Sequence, residues 1–197
     1  MVYIHQSDIS FMDLRIIGLS GRMGSGKDEV YKIATKLVGS EPIQRIAFGD
    51  MVKQEVADLL GLSFKYIETR KKFFRPLLQW WGTEYRRALY GREYWLNKMR
   101  DRLGSDLVQG WVFITDVRFE NEAKLISDLG GFMVRVERPG YCMCEKTRDH
   151  CSETDLDFYD FDHTIRNDGE VKDLKPEVEA MIDAYRRERT CSQLRAG

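Results

Sequence analysis

No apolar run in the 197 residues approaches the ~20 that a helix needs to cross a bilayer, so a membrane-spanning protein is not expected. The first 13 residues also lack the apolar stretch of an export signal, carrying His5, Gln6, Ser7 and Asp8 where one would need it. A cytoplasmic protein is the expectation. A basic excess is missing too: 31 basic residues face 32 acidic ones, a net charge of −1, which argues against a dedicated nucleic-acid binder. Cysteine is scarce and poorly spaced for metal. Cys142, Cys144, His150 and Cys151 give a Cys-x-Cys and an adjacent His-Cys pair, not the paired Cys-x2-Cys of a structural zinc module. They are read as reduced thiols. His5 and His163 have no partner visible in the sequence, and internal repeats and low-complexity linkers are absent.

What is present suits one compact unit. Hydrophobic residues make up 43% and charged residues 32%, enough for a core beneath a well-solvated surface. Short apolar runs alternate with longer amphipathic stretches, the pattern of an α/β fold with a largely parallel sheet. Strands are predicted over Leu14–Leu19, Ile43–Phe48, Trp111–Thr115, Phe132–Val136 and His163–Arg166. Helices are predicted over Lys27–Leu37, from about Met51 to Leu60, through the aromatic-rich middle Ile67–Leu103, and over Glu122–Leu129 and Val171–Arg187. Arg186-Arg187-Glu188-Arg189 is read as a charged helix end, where cations favour the macrodipole. Pro139-Gly140 breaks the fourth strand, and the polar stretch to Asp162 reads as a loop or lid.

Gly21-Arg22-Met23-Gly24-Ser25-Gly26-Lys27-Asp28 follows a predicted strand and opens a predicted helix, the context a Walker A loop requires. Glycines let the backbone curl until its N–H groups face phosphate oxygens, and the helix N-terminus adds partial positive charge. Gly21, Gly24, Ser25 and Gly26 are expected to cradle phosphate groups, with Lys27 reaching the β- and γ-phosphates. Asp28 stands where Ser or Thr usually meets Mg²⁺, and a carboxylate is an equally hard oxygen ligand, directly or through water.

Two other segments carry chemistry. Asp116 and Arg118 fall at the C-terminal end of a buried strand, where open α/β sheets place ligands. Asp116 either orients Mg²⁺ or helps activate the acceptor, and Arg118 is suited to clamping a phosphate in a bidentate fork. Glu122 pairs with Arg118 or accepts from a sugar hydroxyl, while Glu120 reads as a solvated helix start. The stretch Arg70–Arg87 mixes cations with flat aromatics, as a nucleotide monophosphate site requires. Most of its aromatics are expected in the core and most of its cations in solvent.

These residues together resemble the bacteriophage deoxynucleoside monophosphate kinases, a branch of the P-loop NMP-kinase fold. The resemblance rests on Gly26-Lys27-Asp28, Arg75, Gln79, Gly82-Thr83-Glu84, Tyr94-Trp95, Asp116, Arg118, Glu122, Arg138-Pro139-Gly140, His150, Glu153 and Asn167-Asp168-Gly169, in that order. It implies a three-layer P-loop NTPase fold with a parallel five-stranded sheet, a helical acceptor-binding region and a short lid. The core would cover about 14–66 and 104–197, the helical region about 67–103 and the lid about 138–162 of a single domain, 1–197. It also implies a kinase that converts dNMPs to dNDPs with ATP and Mg²⁺ in the host cytoplasm, with no nucleic-acid or membrane partner. Arg75, Gln79, Trp95, Asp116, Arg118 and Glu122 would line the acceptor site, with Lys27, Asp116 and Arg118 nearest the chemistry. Asn167 would lie by adenine, and Arg138, Lys146 and Arg148 would close over the transferring group. Many proteins of this size form C2 dimers. A weaker likeness to dephospho-CoA kinases keeps another phosphorylated metabolite open as acceptor. A non-catalytic ATP-binding regulator is the alternative from another class.

Overall fold

The computed structural model describes residues 14–105, 108–140 and 154–196. Cys142, Cys144, Lys146, Arg148, His150, Cys151 and Glu153 lie outside them, so the thiol reading and much of the lid fall on residues not described.

Five parallel strands form one sheet: β1 (Arg15–Ser20), β2 (Ile43–Ile46), β3 (Trp111–Val117), β4 (Phe132–Glu137) and β5 (His163–Arg166), in the order β2-β3-β1-β4-β5. The period-2 alternation of each strand sorts its side chains between two cores. Ile16, Val112, Ile114 and Met133 enter one core; Ile17, Leu19, Trp111, Phe113 and Val134 enter the other. Each such fully buried aliphatic side chain contributes on the order of 2 kcal/mol. The second core is covered by α1 (Lys27–Leu37) and α8 (Val171–Ala196), through Val30, Ile33, Ala34, Val178 and Met181. The first is covered by α2 (Phe48–Leu60), α3 (Phe64–Thr69), α4 (Lys71–Gln79), α6 (Tyr94–Leu103) and α7 (Glu120–Asp128), while α5 (Arg86–Tyr90) buries no side chain there. Three layers result, the architecture of a P-loop NTPase fold.

Most predicted elements are found with shifted ends. The second strand stops at Ile46, because Asp116 caps a helix that begins at Phe48 rather than Met51. The last helix runs on to Ala196, so Arg186–Arg189 is not a helix end. Arg189 instead donates from mid-helix to the Leu14 carbonyl and the Tyr185 hydroxyl, both at 2.7 Å. The helical middle is interrupted by a π-helical turn over Trp80–Tyr85, just after Pro76 in α4. Gly82 in that turn lets α2 come close: a Cβ there would stand 3.1 Å from Val52 Cγ2.

Register brings three strand ends together. Ser20, the last residue of β1, lies beside Val117 of β3 on one side and Arg135 of β4 on the other. The chain leaving β1 therefore passes directly beside Asp116 and Arg118.

Candidate active site

The segment after β1 curls through three glycines with positive φ: Gly21 at 141°, Gly24 at 81° and Gly26 at 107°. Other residues rarely adopt these angles. A Cβ on Gly21 would collide with the Val136 carbonyl and one on Gly26 with the Asn167 amide. Gly26 N-caps α1, and Lys27 follows it, buried to 9% exposure. Its ammonium donates to the carbonyls of Gly21 at 2.6 Å and Arg22 at 2.9 Å, lying across the loop. Ser25 is buried, and Asn167 Nδ2 donates to its carbonyl at 2.8 Å. Asp28 presents an exposed carboxylate whose nearest described cation is Arg45, with Nε at 3.9 Å. That open, hard oxygen donor beside the loop fits Mg²⁺ bound through water.

A cavity of about 260 Å³ lies between the β3 end and α2, α4, the π turn, α5 and α6. Arg75, Gln79, Trp95, Asp116, Arg118 and Glu122 all border it. Arg75 also reaches out of α4 to the phosphate loop, with Nη1 2.7 Å from Met23 Sδ. Trp95 donates its indole N–H to the Gly82 carbonyl of the π turn at 2.7 Å.

Asp116 accepts from the first two amides of α2, Phe48 N at 2.8 Å and Gly49 N at 2.7 Å. Dense packing desolvates its carboxyl and pushes its pKa above the usual range, against the pull of those amides and of Arg118. Glu122 is 2% exposed. Its pairing with Arg118, one of the two expected roles, is not what the structure holds. At the third position of α7 its carboxylate turns back to the main-chain N–H groups of Arg118 at 2.9 Å and Phe119 at 3.3 Å, one half of a capping box. That leaves the other oxygen facing Arg87, whose Nη2 lies 2.7 Å away. Burial raises the Glu122 pKa to about 7, and Arg87 opposes the rise.

Arg87 also borders the cavity, its guanidinium 4.0 Å from the centre of the Phe119 ring. Sequence reasoning did not single it out from the basic residues around it. Lys53 and Lys71 are further cavity cations, each paired with Glu68, at 2.6 and 3.1 Å. Behind the wall, Glu55 of α2 accepts from Trp81 Nε1 at 3.0 Å, Arg86 Nε at 2.8 Å and Lys98 Nζ at 3.1 Å, and from the Tyr94 hydroxyl. Burial alone would raise its pKa, but these donors together hold it below the ordinary value. The same contact pushes the Tyr94 hydroxyl up to about 12, through burial first and then Glu55.

A second cavity, about 290 Å³, opens on the other flank of the loop, bordered by Arg22, Ser25, Arg135 and Arg138. Asp157 bridges two of these, Arg135 Nη2 at 2.9 Å and Arg22 Nη2 at 3.3 Å. Arg138 is exposed beside it. Among the described residues no group of three or more His, Cys, Asp or Glu side chains could hold a metal ion. No helix among them is long and apolar enough to cross a membrane.

A phosphate loop at the end of a central parallel strand, with a cation-lined cavity on each side, defines a kinase of the P-loop class. The chain belongs to the deoxynucleotide monophosphate kinase family, whose model matches residues 52–178, a span that holds most of the residues bordering the first cavity. A protein of Acanthamoeba polyphaga mimivirus named as a deoxynucleotide monophosphate kinase is 27% identical over 192 residues, covering 85% of this chain and 96% of its own. The deoxynucleotide monophosphate kinase of Escherichia phage RB69 is 32% identical over 113 residues, 55% of this chain and 44% of that protein. Shikimate kinase from Aquifex aeolicus vf5 is similar over 85% of this chain and 96% of its own, with 17% identity and a TM-score of 0.48.

Proposed function

We propose that the protein transfers the γ-phosphoryl group of ATP to a deoxynucleoside monophosphate, giving a diphosphate and ADP. The observation that carries this reading is Arg75, which borders the 260 Å³ cavity and at the same time touches Met23 of the phosphate loop. One cation thus stands where two phosphate groups would have to meet. The cavity suits a nucleotide monophosphate on size and lining: apolar walls from Val52, Leu78 and Phe119, with arginines at its rim.

In this reading an oxygen of the acceptor phosphate attacks the γ-phosphorus as the bond to the ADP oxygen breaks. Little covalent work is left to the protein, so positioning and charge neutralisation dominate. Gly21, Gly24, Ser25 and Gly26 hold the donor phosphates by their main-chain groups. Lys27 exchanges carbonyl partners for β- and γ-phosphate oxygens, and Arg75 and Arg118 face the acceptor. Asp28, exposed beside the loop, would hold Mg²⁺, and Asp116 at the β3 end is the other carboxylate suited to it. Mg²⁺ held there would supply charge neutralisation for the transferring phosphoryl group. Gln79, Trp95 and Glu122 shape the acceptor side, and Arg138 stands at the entrance on the donor side. Single-domain organisation over 1–197 and a cytoplasmic site of action go with this reading.

The test is an acceptor panel. Purified protein with ATP and Mg²⁺ is given each natural dNMP, modified dNMPs and dephospho-CoA, and ADP is measured. ADP release that depends on a dNMP is expected. Release with dephospho-CoA alone, or slow release indifferent to any acceptor, would replace the proposal with one of its alternatives.

A further inference from the structure

We infer that Asn167 is a positioning residue for the phosphate loop, acting on the loop's main chain rather than on the base of the donor nucleotide. This rests on the reading of the loop as a triphosphate site.

Asn167 follows β5 directly. Its main-chain N–H donates to the Glu137 carbonyl at 2.7 Å, extending the pairing of β4 with β5 by one residue and fixing its backbone to the sheet. From that anchored position its side-chain amide reaches Ser25 O at 2.8 Å, a contact across 142 positions of sequence. The Ser25 carbonyl immediately precedes the N-cap of α1. It lies outside the helix ladder, whose first acceptor is the Gly26 carbonyl, taking Glu29 N at 2.9 Å and Val30 N at 3.0 Å. Since Ser25 is buried, its carbonyl needs a donor, and Asn167 supplies one.

The consequence follows from peptide planarity. The Ser25 C=O and the Gly26 N–H share one trans peptide plane and point in opposite directions. Holding the carbonyl on Asn167 therefore fixes the Gly26 N–H facing away from Asn167. The amide also fills the space above Gly26, where a Cβ would collide with Nδ2, and Gly26 keeps its φ of 107° beneath it. Loop conformation at the residue before Lys27 is thus set by the last strand of the sheet. A residue with this job affects the grip on any phosphate chain, whatever base is attached.

The experiment compares the full chain with Asn167→Ala and Asn167→Asp. Affinity for inorganic tripolyphosphate with Mg²⁺ is measured by calorimetry, and kcat/KM is measured for ATP and for GTP with one acceptor. Loss of one main-chain hydrogen bond predicts tripolyphosphate binding weaker by about 5- to 20-fold in Asn167→Ala. Asn167→Asp, which keeps the size but puts a carboxylate against a carbonyl, should lose at least as much, and it serves as the test should the alanine variant not fold. Both donors should lose kcat/KM by the same factor, leaving their ratio within about twofold, since the shared loop bond is what is lost. Unchanged tripolyphosphate binding with a changed ATP/GTP ratio would make Asn167 a base reader and overturn the inference, as would no change in either. A wild-type protein that binds neither ATP nor tripolyphosphate would instead remove the donor-site reading itself.

Discussion

Glu122 holds the Arg87 guanidinium at 2.7 Å with one carboxylate oxygen and the main-chain N–H of Arg118 at 2.9 Å with the other. One buried side chain therefore ties α5 to the turn between β3 and α7, joining two positions, Arg87 and Arg118, that border the 260 Å³ cavity.

That tie is sensitive to pH. Burial raises the Glu122 pKa from 4.5 to about 7, so the folded protein keeps a proton there that the unfolded chain has released. Stability from this group is fully present below about pH 4.5 and is lost as pH rises through about 7, an interval worth on the order of 3 kcal/mol. The stability advantage of wild type over Glu122→Gln should shrink across that window in denaturant titrations. Activity moves the other way: protonation loosens Arg87, so acceptor kcat/KM should fall as pH drops below about 7, by about tenfold, the scale of a charged hydrogen bond. In Glu122→Gln the profile should be flat there. Parallel profiles for the two proteins would rule out this role.

Lys27→Ala should reduce turnover by at least ~100-fold, the scale for loss of a transition-state charge partner. Steady-state kinetics with saturating acceptor gives the answer. An active alanine variant would disconnect the loop from the chemistry.

Arg118→Ala should likewise cut turnover by at least ~100-fold. The hydrogen bond from the main-chain N–H at position 118 to Glu122 is kept in this variant. Near-normal kinetics in a folded variant would refute the role given to Arg118.

Glu55→Ala strips the acceptor from Trp81, Arg86, Tyr94 and Lys98 together. Removing the shared acceptor of this part-buried charged cluster should cost about 3 kcal/mol, the scale of hydrogen bonds to a charged group. For a chain of this size that lowers Tm by about 6–12 °C, readable by thermal unfolding. A shift within 1 or 2 °C, the scale of an ordinary surface substitution, would mean that the cluster is dispensable.

The sequence marks some parts of this arrangement and is silent on others. The loop from Gly21 to Asp28 announces itself because few local conformations need so many glycines before a lysine. Asp116 is legible because it ends a run of buried residues. The pairing of Glu122 with Arg87 is not, since it spans 35 positions without a periodic signature, and Arg87 looks like any other cation in a basic stretch. The π turn at Trp80–Tyr85 is hidden for a related reason. Its aromatic spacing is equally compatible with an α-helix, and what sets it apart is a main-chain bond, from the Arg86 N–H to the Trp81 carbonyl five residues back. The contact of Asn167 with Ser25 depends on strand order, which no local pattern encodes.

Both oxygens of Asp116 end on the opening amides of α2, and α2 carries the Lys53 and Glu55 that grip α3, the π turn, α5 and α6. The polar anchor of the opening of α2 on the sheet is thus one carboxylate, set beside the apolar packing and the Glu122–Arg87 pair. Loosening it would shift the start of α2 together with Lys53 and Glu55, so damage at position 116 would travel to α3, the π turn, α5 and α6 instead of staying where it began.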